Sequence, residues 1–395
     1  MRIKALIISI LAVIFLTLNS IAQKPEKIIS FAKESRPCEW YKTQANIWKK
    51  ETQKNKKNAN AWSNYYRATR YSILMCNGDS VFNQNKWQIM DSITKPILSQ
   101  MKKYIPNSFE YNHLMYYASG NDAENKFNYI EKAYQIDPNR PEGMSDLIAA
   151  YLLRGENEKV PPILKRWFET ETPSQGLITW NYNMIAGLDS NAIIFVDGDN
   201  DFYQKEWLQQ VKSIRTDIKV ILVSFLSVDK FRNKTIADLK MPAFTITIQE
   251  CGSYEKFTQA IIMHILKNSH NRPIYFSSAM QPSNYNFIQD SLYLEGLAYK
   301  YSSERYDNIA VIKRNFEQTY LLDYIKKPLL NDVSSGMVSQ TSLCYLLPFT
   351  QLYNHYKTSG EKSKADSILD LMILITQKAE NKEYFEYILE LKKQK

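Results

Sequence analysis

The side chains best able to do chemistry lie in one short run, Asp197-Gly198-Asp199-Asn200-Asp201. Three carboxylates in five residues can hold a hard cation through oxygen ligands. An apolar run followed by D-x-D is also a pattern that holds Mg²⁺ or Mn²⁺ against phosphate. Neither form is complete here. No Thr or Val follows in the position a phosphatase uses, and a chain with 11 Gly offers no Gly-rich phosphate cradle. A local role fits the same residues. Asp197 and Gly198 suit a tight strand-to-helix turn. Asp201 followed by Gln204 fits a helix-capping box. Turn and cap alone, a polar-ligand contact, and a metal site all stay open, with the local role preferred over metal. The five residues stand as the candidate ligand contact, through Asn200 and backbone groups. No catalytic residue, metal or cofactor is assigned.

Other candidates are weaker. Four His are too few and too scattered for a histidine-based metal enzyme, and neither C-x-x-C nor H-E-x-x-H occurs. Arg215-Thr216-Asp217 reads as a helix-to-strand loop, and His264 falls inside a helical pattern. Arg272-Pro273 precedes a strand, where Pro fixes an extended backbone. Cys251-Gly252 could present a thiol at a strand end, but no base is placed near it.

Three blocks must position these groups. Residues 23–185 read as helical hairpins, with Ala61-Trp62, Tyr65, Tyr66 and Ala68 at helical spacing. Pro106-Asn107 and Pro138-Asn139 lie 32 residues apart, and Pro173 follows 35 further on. That period resembles the tetratricopeptide repeat, although Glu110 and Glu142 stand where the repeat usually has Trp. The aromatic stripes at this spacing read as core, with Trp62 between hairpins.

Residues 186–315 change period. Apolar runs at 192–196, 219–225, 243–248 and 273–277 read as strands, with 309–313 as a possible last one. Helical patterns at 202–214, 229–239 and 254–267 alternate with them, which predicts a small, mainly parallel, doubly wound sheet. Residues 316–395 are helical again, with patterns at 349–357 and 363–379 flanking a Ser359-Gly360-Glu361 turn. The fold class is therefore α/β plus α, a helical-hairpin solenoid flanking an α/β domain.

The opening residues set the expected compartment. Arg2 and Lys4, an apolar run at 5–18 and Ser20-Ile21-Ala22 read as a signal peptide over 1–22, with cleavage after Ala22. The apolar run is shorter than the ~20 residues of a membrane span. Gln23 rather than Cys follows, so no lipid anchor is expected. The mature protein is expected in the periplasm or secreted, with no transmembrane segment. Oxidising conditions make cysteines pairable. Cys38 opens one helical pattern and Cys76 closes the next, each equally far from the turn near residue 57, so an antiparallel hairpin brings them together. The state of Cys251 and Cys344 stays open.

The chain is 44% hydrophobic and 23% charged, which excludes a disordered chain. Its net charge of +9 is spread out. The densest patch, Lys49, Lys50, Lys54, Lys56 and Lys57, is interrupted by Glu51 and reads as a solvated helix end. No nucleic-acid partner is expected of an exported chain.

The stretch 191–239 carries a family likeness. Gly198-Asp199-Asn200-Asp201, Trp207 and Arg215-Thr216-Asp217, with the later RPIYFS at 272–277, resemble the soluble C-terminal part of bacterial and animal membrane glycosyltransferases related to protein O-mannosyltransferases. The resemblance covers a quarter to a third of the chain. In that family the transferase chemistry sits in a multi-helix membrane domain that this sequence lacks, so no catalytic residue carries over. The likeness implies a detached accessory module. The expectation is an exported, non-enzymatic binding or scaffold protein with an envelope protein or glycan partner. The alternatives are an accessory subunit or enzyme of extracytoplasmic glycan handling, using the acidic turn, and a purely structural envelope protein.

Overall fold

Apolar side chains at helical spacing shape the first part of the chain. On α1 (Cys38–Lys54) the buried positions are Tyr41, Gln44, Trp48 and Thr52, one stripe at three- and four-residue steps. After a short turn, Asn58 caps α2 (Ala59–Cys76), its carboxamide oxygen accepting from the Ala61 N–H at 3.0 Å. The Cys38–Cys76 disulfide closes the open end of this hairpin, with Cα atoms 5.2 Å apart. Then follow α3 (Gln84–Tyr104), α4 (Phe109–Ala118) and α5 (Ala123–Ile136). Trp62 is buried against Ile97, Leu98, Met101 and Leu114, as the hairpin reading requires. An extended segment is held along α1 and α2 by side chains. Trp48 Nε1 donates to the Glu26 carbonyl at 2.8 Å, and Asn64 Oδ1 accepts from the Ile28 N–H at 2.7 Å.

The computed structural model describes residues 24–76, 84–119, 123–170, 173–327 and 332–393. The expected targeting segment, residues 1–22, lies outside them. Two compact units form, one of residues 24–31 and 35–139, the other of 32–34 and 140–393. The boundary near 139 falls before the change of period near 186. Helices α6 (Met144–Leu153), α7 (Val160–Glu169) and α8 (Gln175–Ala186) belong to the unit that holds the sheet. Among the described residues no helix is long and apolar enough to cross a membrane.

The sheet is mixed. Its order is β2 (Lys219–Leu222), β1 (Ile193–Val196), β3 (Ile274–Ser277), β5 (Ala298–Tyr301), β4 (Leu292–Leu294). β1 runs parallel to both β2 and β3, whereas β3–β5 and β5–β4 are antiparallel. All four residues of β1 are buried, as a strand covered on both faces must be. On one face Ile193, Phe195, Ile221, Ile274 and Phe276 pack with Phe257, Ile261 and Ile265 of α12 (Tyr254–Lys267) and Ile236 of α10 (Asp229–Asp238). On the other, α9 (Asp199–Gln210) lies on β2 and against α8.

Two expected strands are not strands. Residues 243–247 take no regular secondary structure and pair with nothing in the sheet. Thr247 and Glu250 form a reciprocal capping box that starts the short helix α11 (Ile248–Cys251), so local capping overrides β propensity there. The run 309–313 lies in α13 (Ile309–Arg314), whose first N–H is bound by Asp307 at 2.9 Å. The β4–β5 hairpin occupies the sheet instead. The chain continues through α14 (Asp323–Lys326), α15 (Ser335–Ser342), α16 (Leu346–Thr358), α17 (Lys362–Lys378) and α18 (Lys382–Lys393). α16 and α17 form the expected hairpin, and α15 returns to pack on α8.

Candidate functional site

In the strand order 2-1-3 the connections from β1 and β3 leave in opposite directions, and a crevice opens outside the carboxyl ends of these two strands. Open α/β sheets place ligands at such a switch point. The crevice has a volume of about 390 Å³ and is lined by the run Asp197 to Asp201, Trp180 of α8, Ala279 after β3, Thr341 of α15 and Ala32.

Gly198 makes the sharp exit from β1. Its φ of 86° and ψ of 161° belong to a region open essentially to Gly alone, and a Cβ there would meet nothing within 4 Å. α9 therefore starts at Asp199, two residues earlier than the expected cap. Asp201 is not the cap. Gly198 holds that position without a side-chain bond, and Asp201 sits inside the first turn facing the protein. Its carboxylate meets Lys205 Nζ at 2.5 Å and accepts from the Asp197 N–H at 3.4 Å. Gln204, the other half of the expected box, is buried.

Lys205 has no exposed surface. Its ammonium donates to Asp201 Oδ1, to the Asp201 carbonyl at 2.8 Å and to Asn181 Oδ1 at 2.6 Å, so all three protons are engaged. Burial pushes the Lys205 pKa down and the Asp201 pKa up, and each partner's charge opposes the shift of the other. Asn181 also donates to the Asn200 carbonyl at 2.9 Å and so ties α8 to the turn.

The five candidate residues thus divide. Asp201 is closed off by Lys205. The Asn200 carboxamide donates to the Ala32 carbonyl at 2.8 Å, so its amide is engaged by the chain itself. Asp197 is half-buried and accepts from the Asn284 amide at 3.3 Å; burial raises its pKa. Asp199 reaches solvent at the rim, and among the described residues no donor or counter-charge meets its carboxylate. The protein crowded around it, together with the like charge of Asp146, pushes it up to about 6. Among the described residues no three His, Cys, Asp or Glu side chains are placed to hold a metal ion. The three-carboxylate cation site fails to assemble because Asp201 turns inward.

Trp180 was not singled out by sequence reasoning. It is fully buried in the crevice wall, and its indole N–H has no hydrogen-bond partner. No sequence signal marks it. The Asp201–Lys205 pair carries one, since the two stand four residues apart on a helix.

At the amino ends of the same strands the Arg215-Thr216-Asp217 turn is a clamp. Arg215 donates to the carbonyls of Ile185 at 2.6 Å, Leu188 at 3.0 Å and Asp189 at 2.9 Å, and grips both Asp217 oxygens. Asp217 also accepts from the Asn191 N–H at 2.8 Å; Arg215 above all holds it down at about 2. Arg272 donates to the Asn191 carbonyl at 2.8 Å. His264 Nε2 donates to the Pro242 carbonyl at 2.8 Å. Cys251 and Cys344 are free thiols, and burial pushes Cys344 up to about 11, where a thiol is inert.

A second cavity, of about 150 Å³, lies between α9 and α10 beside β2. Glu206 is buried in its wall and accepts from Gln210, and burial pushes its carboxyl up to about 7.

A sequence-family model, TMEM260-associated domain 2, matches residues 178–243. The matched stretch runs from α8 through β1, the acidic turn, α9 and β2 to just beyond α10, and so includes both Trp180 and the Arg215 clamp. No curated protein matches the chain.

Proposed function

We propose that this protein is an extracytoplasmic binding or scaffold protein, without chemistry of its own, that meets an envelope protein or glycan partner. Its hairpins supply surface, and the sheet supplies a rigid platform for the strand-end crevice. The observation that carries this reading is the state of the crevice. It is open, with Asp197 and Asp199 in its lining, yet the base beneath it, Lys205, is fully buried and locked by three hydrogen bonds. The Cys38–Cys76 bridge supports an oxidising compartment, reached in this reading by cleavage after Ala22.

One observation favours a second reading. The TMEM260-associated match relates loosely to O-mannosyltransferase-like proteins, in line with the likeness carried by residues 191–239. In that reading the protein is an accessory part of extracytoplasmic glycan handling. Affinity capture from envelope extract tests both. Recovery of secretion or surface components supports the scaffold, and recovery of a membrane transferase moves the protein to the second reading. Turnover of a sugar nucleotide by the purified protein rejects the non-enzymatic reading, and an empty capture rejects the scaffold.

A further inference from the structure

Seven lysines gather at the end of the hairpins where α1 and α3 finish. Lys49, Lys50, Lys54, Lys56 and Lys57 come from the end of α1 and the turn after it, and Lys102 and Lys103 from the last turn of α3. All seven are exposed. Along the sequence only the first five stand together, and the fold adds the other two. Trp62 fixes the turn. Its indole N–H donates to the Lys56 carbonyl at 2.9 Å, and its ring packs with Ile105, just after α3. Lys56 Nζ then lies 5.2 Å from the centre of the Tyr104 ring, and Lys103 Nζ 5.4 Å from it. The two ammoniums converge on one phenol, and Lys56 above all holds its pKa below the usual value.

Glu51 pairs with Lys54 at 2.7 Å, and among the described residues no carboxylate pairs with the other six. Attraction of cations to a helix C-terminus accounts for Lys54, Lys102 and Lys103, which sit in last turns. It does not account for Lys56 and Lys57, which lie beyond α1, or for Lys49 and Lys50, a turn further back. Like charges held this close repel, and a counter-charge from outside relieves them. Three kinds of anionic partner can supply it. An acidic protein interface needs apolar anchors at its centre, and no large apolar side chain is exposed at 49–57 or 102–108. A single-stranded nucleic acid needs free aromatic faces, whereas Trp62 is buried and two lysines stand over Tyr104. An anionic bilayer needs neither. It needs several basic side chains presented together at one exposed end.

We propose that this end of the hairpins docks the protein on an anionic phospholipid surface, with Lys49, Lys50, Lys56, Lys57, Lys102 and Lys103 meeting headgroup phosphates. The contact is electrostatic and reversible, since no exposed apolar side chain at this end can insert. It is independent of the crevice and of the partner in the binding reading above.

The test is co-sedimentation with vesicles of phosphatidylcholine, alone or mixed with phosphatidylglycerol. It uses the chain from Gln23 onward, which keeps every described residue. At low ionic strength binding to the mixed vesicles is expected to be at least tenfold tighter, and to fall away as salt rises. The combined variant Lys56→Gln, Lys57→Gln, Lys102→Gln and Lys103→Gln is expected to lower that affinity at least tenfold. A second variant removes the same charge from exposed positions of α17 and α18, by Lys362→Gln, Lys382→Gln, Lys392→Gln and Lys393→Gln. It is expected to lower the affinity by no more than about twofold. All eight side chains are exposed, so both variants fold, and their unfolding midpoints are read alongside. Equal loss in the two variants reduces the effect to net charge and overturns the proposal. Equal binding to both kinds of vesicle, or binding to neither, overturns it as well. Retention on heparin that the first variant abolishes, with the vesicles silent, assigns the lysines to a soluble polyanion and overturns the membrane contact. The capture experiment judges the binding reading separately from all of these outcomes.

Discussion

The two ends of the three parallel strands are equally rich in polar side chains and differ in what is left over. At the amino ends, Arg215 uses its guanidinium on three carbonyls and a carboxylate, and Asp217 is held by Arg215 and a backbone N–H. At the carboxyl ends, Asp197 and Asp199 line one crevice, and among the described residues no cation answers either carboxylate. Charge density alone therefore does not mark a site at these ends. What separates the two ends is whether the charged groups already have their partners.

The largest effect is expected where the crevice rests on its buried pair. Asp201→Ala leaves the Lys205 ammonium buried and unpaired and should cost about 3–5 kcal/mol. That exceeds the 0.5–2 kcal/mol typical of losing a helix cap, so urea midpoints distinguish the two roles. Adding Lys205→Met in the same chain should recover at least half, and no recovery would show that Asp201 acts by another route. Arg215→Ala comes next. It frees three carbonyls and Asp217 at once and should cost about 2–3 kcal/mol, as the loss of charge-assisted hydrogen bonds does. If it costs less than Asp199→Asn, the contrast between the two ends is wrong.

Acid should separate the two ends by sign. The folded-state pKa of Asp217, about 2, lies below its usual value. Its contribution is present above pH 4 and is lost as the pH falls toward 2. Asp217 is partly exposed, so solvent screening holds that contribution to about 1 kcal/mol. Asp199 behaves oppositely. Its folded-state pKa of about 6 lies above the usual value, so the folded protein binds the extra proton and gains stability as the pH falls from 6 toward 4. Melting curves of Asp217→Asn and Asp199→Asn between pH 2 and 7 should each flatten one limb. The smallest loss belongs to Asp199→Asn at pH 7, which should lower stability by no more than about 0.5 kcal/mol and raises it to the extent that the fold disfavours the ionised carboxylate. A larger loss would mean that Asp199 has a structural partner after all.

Several elements are legible in the residues alone. Helix α12 spans residues 254–267 as its periodicity says, and the Cys38–Cys76 bridge follows from equal distances to one turn. The buried apolar runs of β1 and β3 announce strands covered on both faces. The run 243–248 misleads for a physical reason. β propensity describes fit to a half-buried sheet and cannot reserve a place in one. The hairpin of β4 and β5, with its alternating tyrosines, takes the place beside β3.

At the candidate site the sequence by itself determined that three carboxylates and a Gly follow a buried strand, because those facts are local. The tertiary structure alone decided what each carboxylate does. The freedom of Gly198 starts α9 early, and that choice of phase turns Asp201 toward Lys205 and leaves Asp199 at the rim. It also brought Trp180, about twenty residues earlier in the chain, into the crevice wall with its N–H unpartnered. Helical phase and packing between distant segments fix such partners, and spacing along the chain does not encode either.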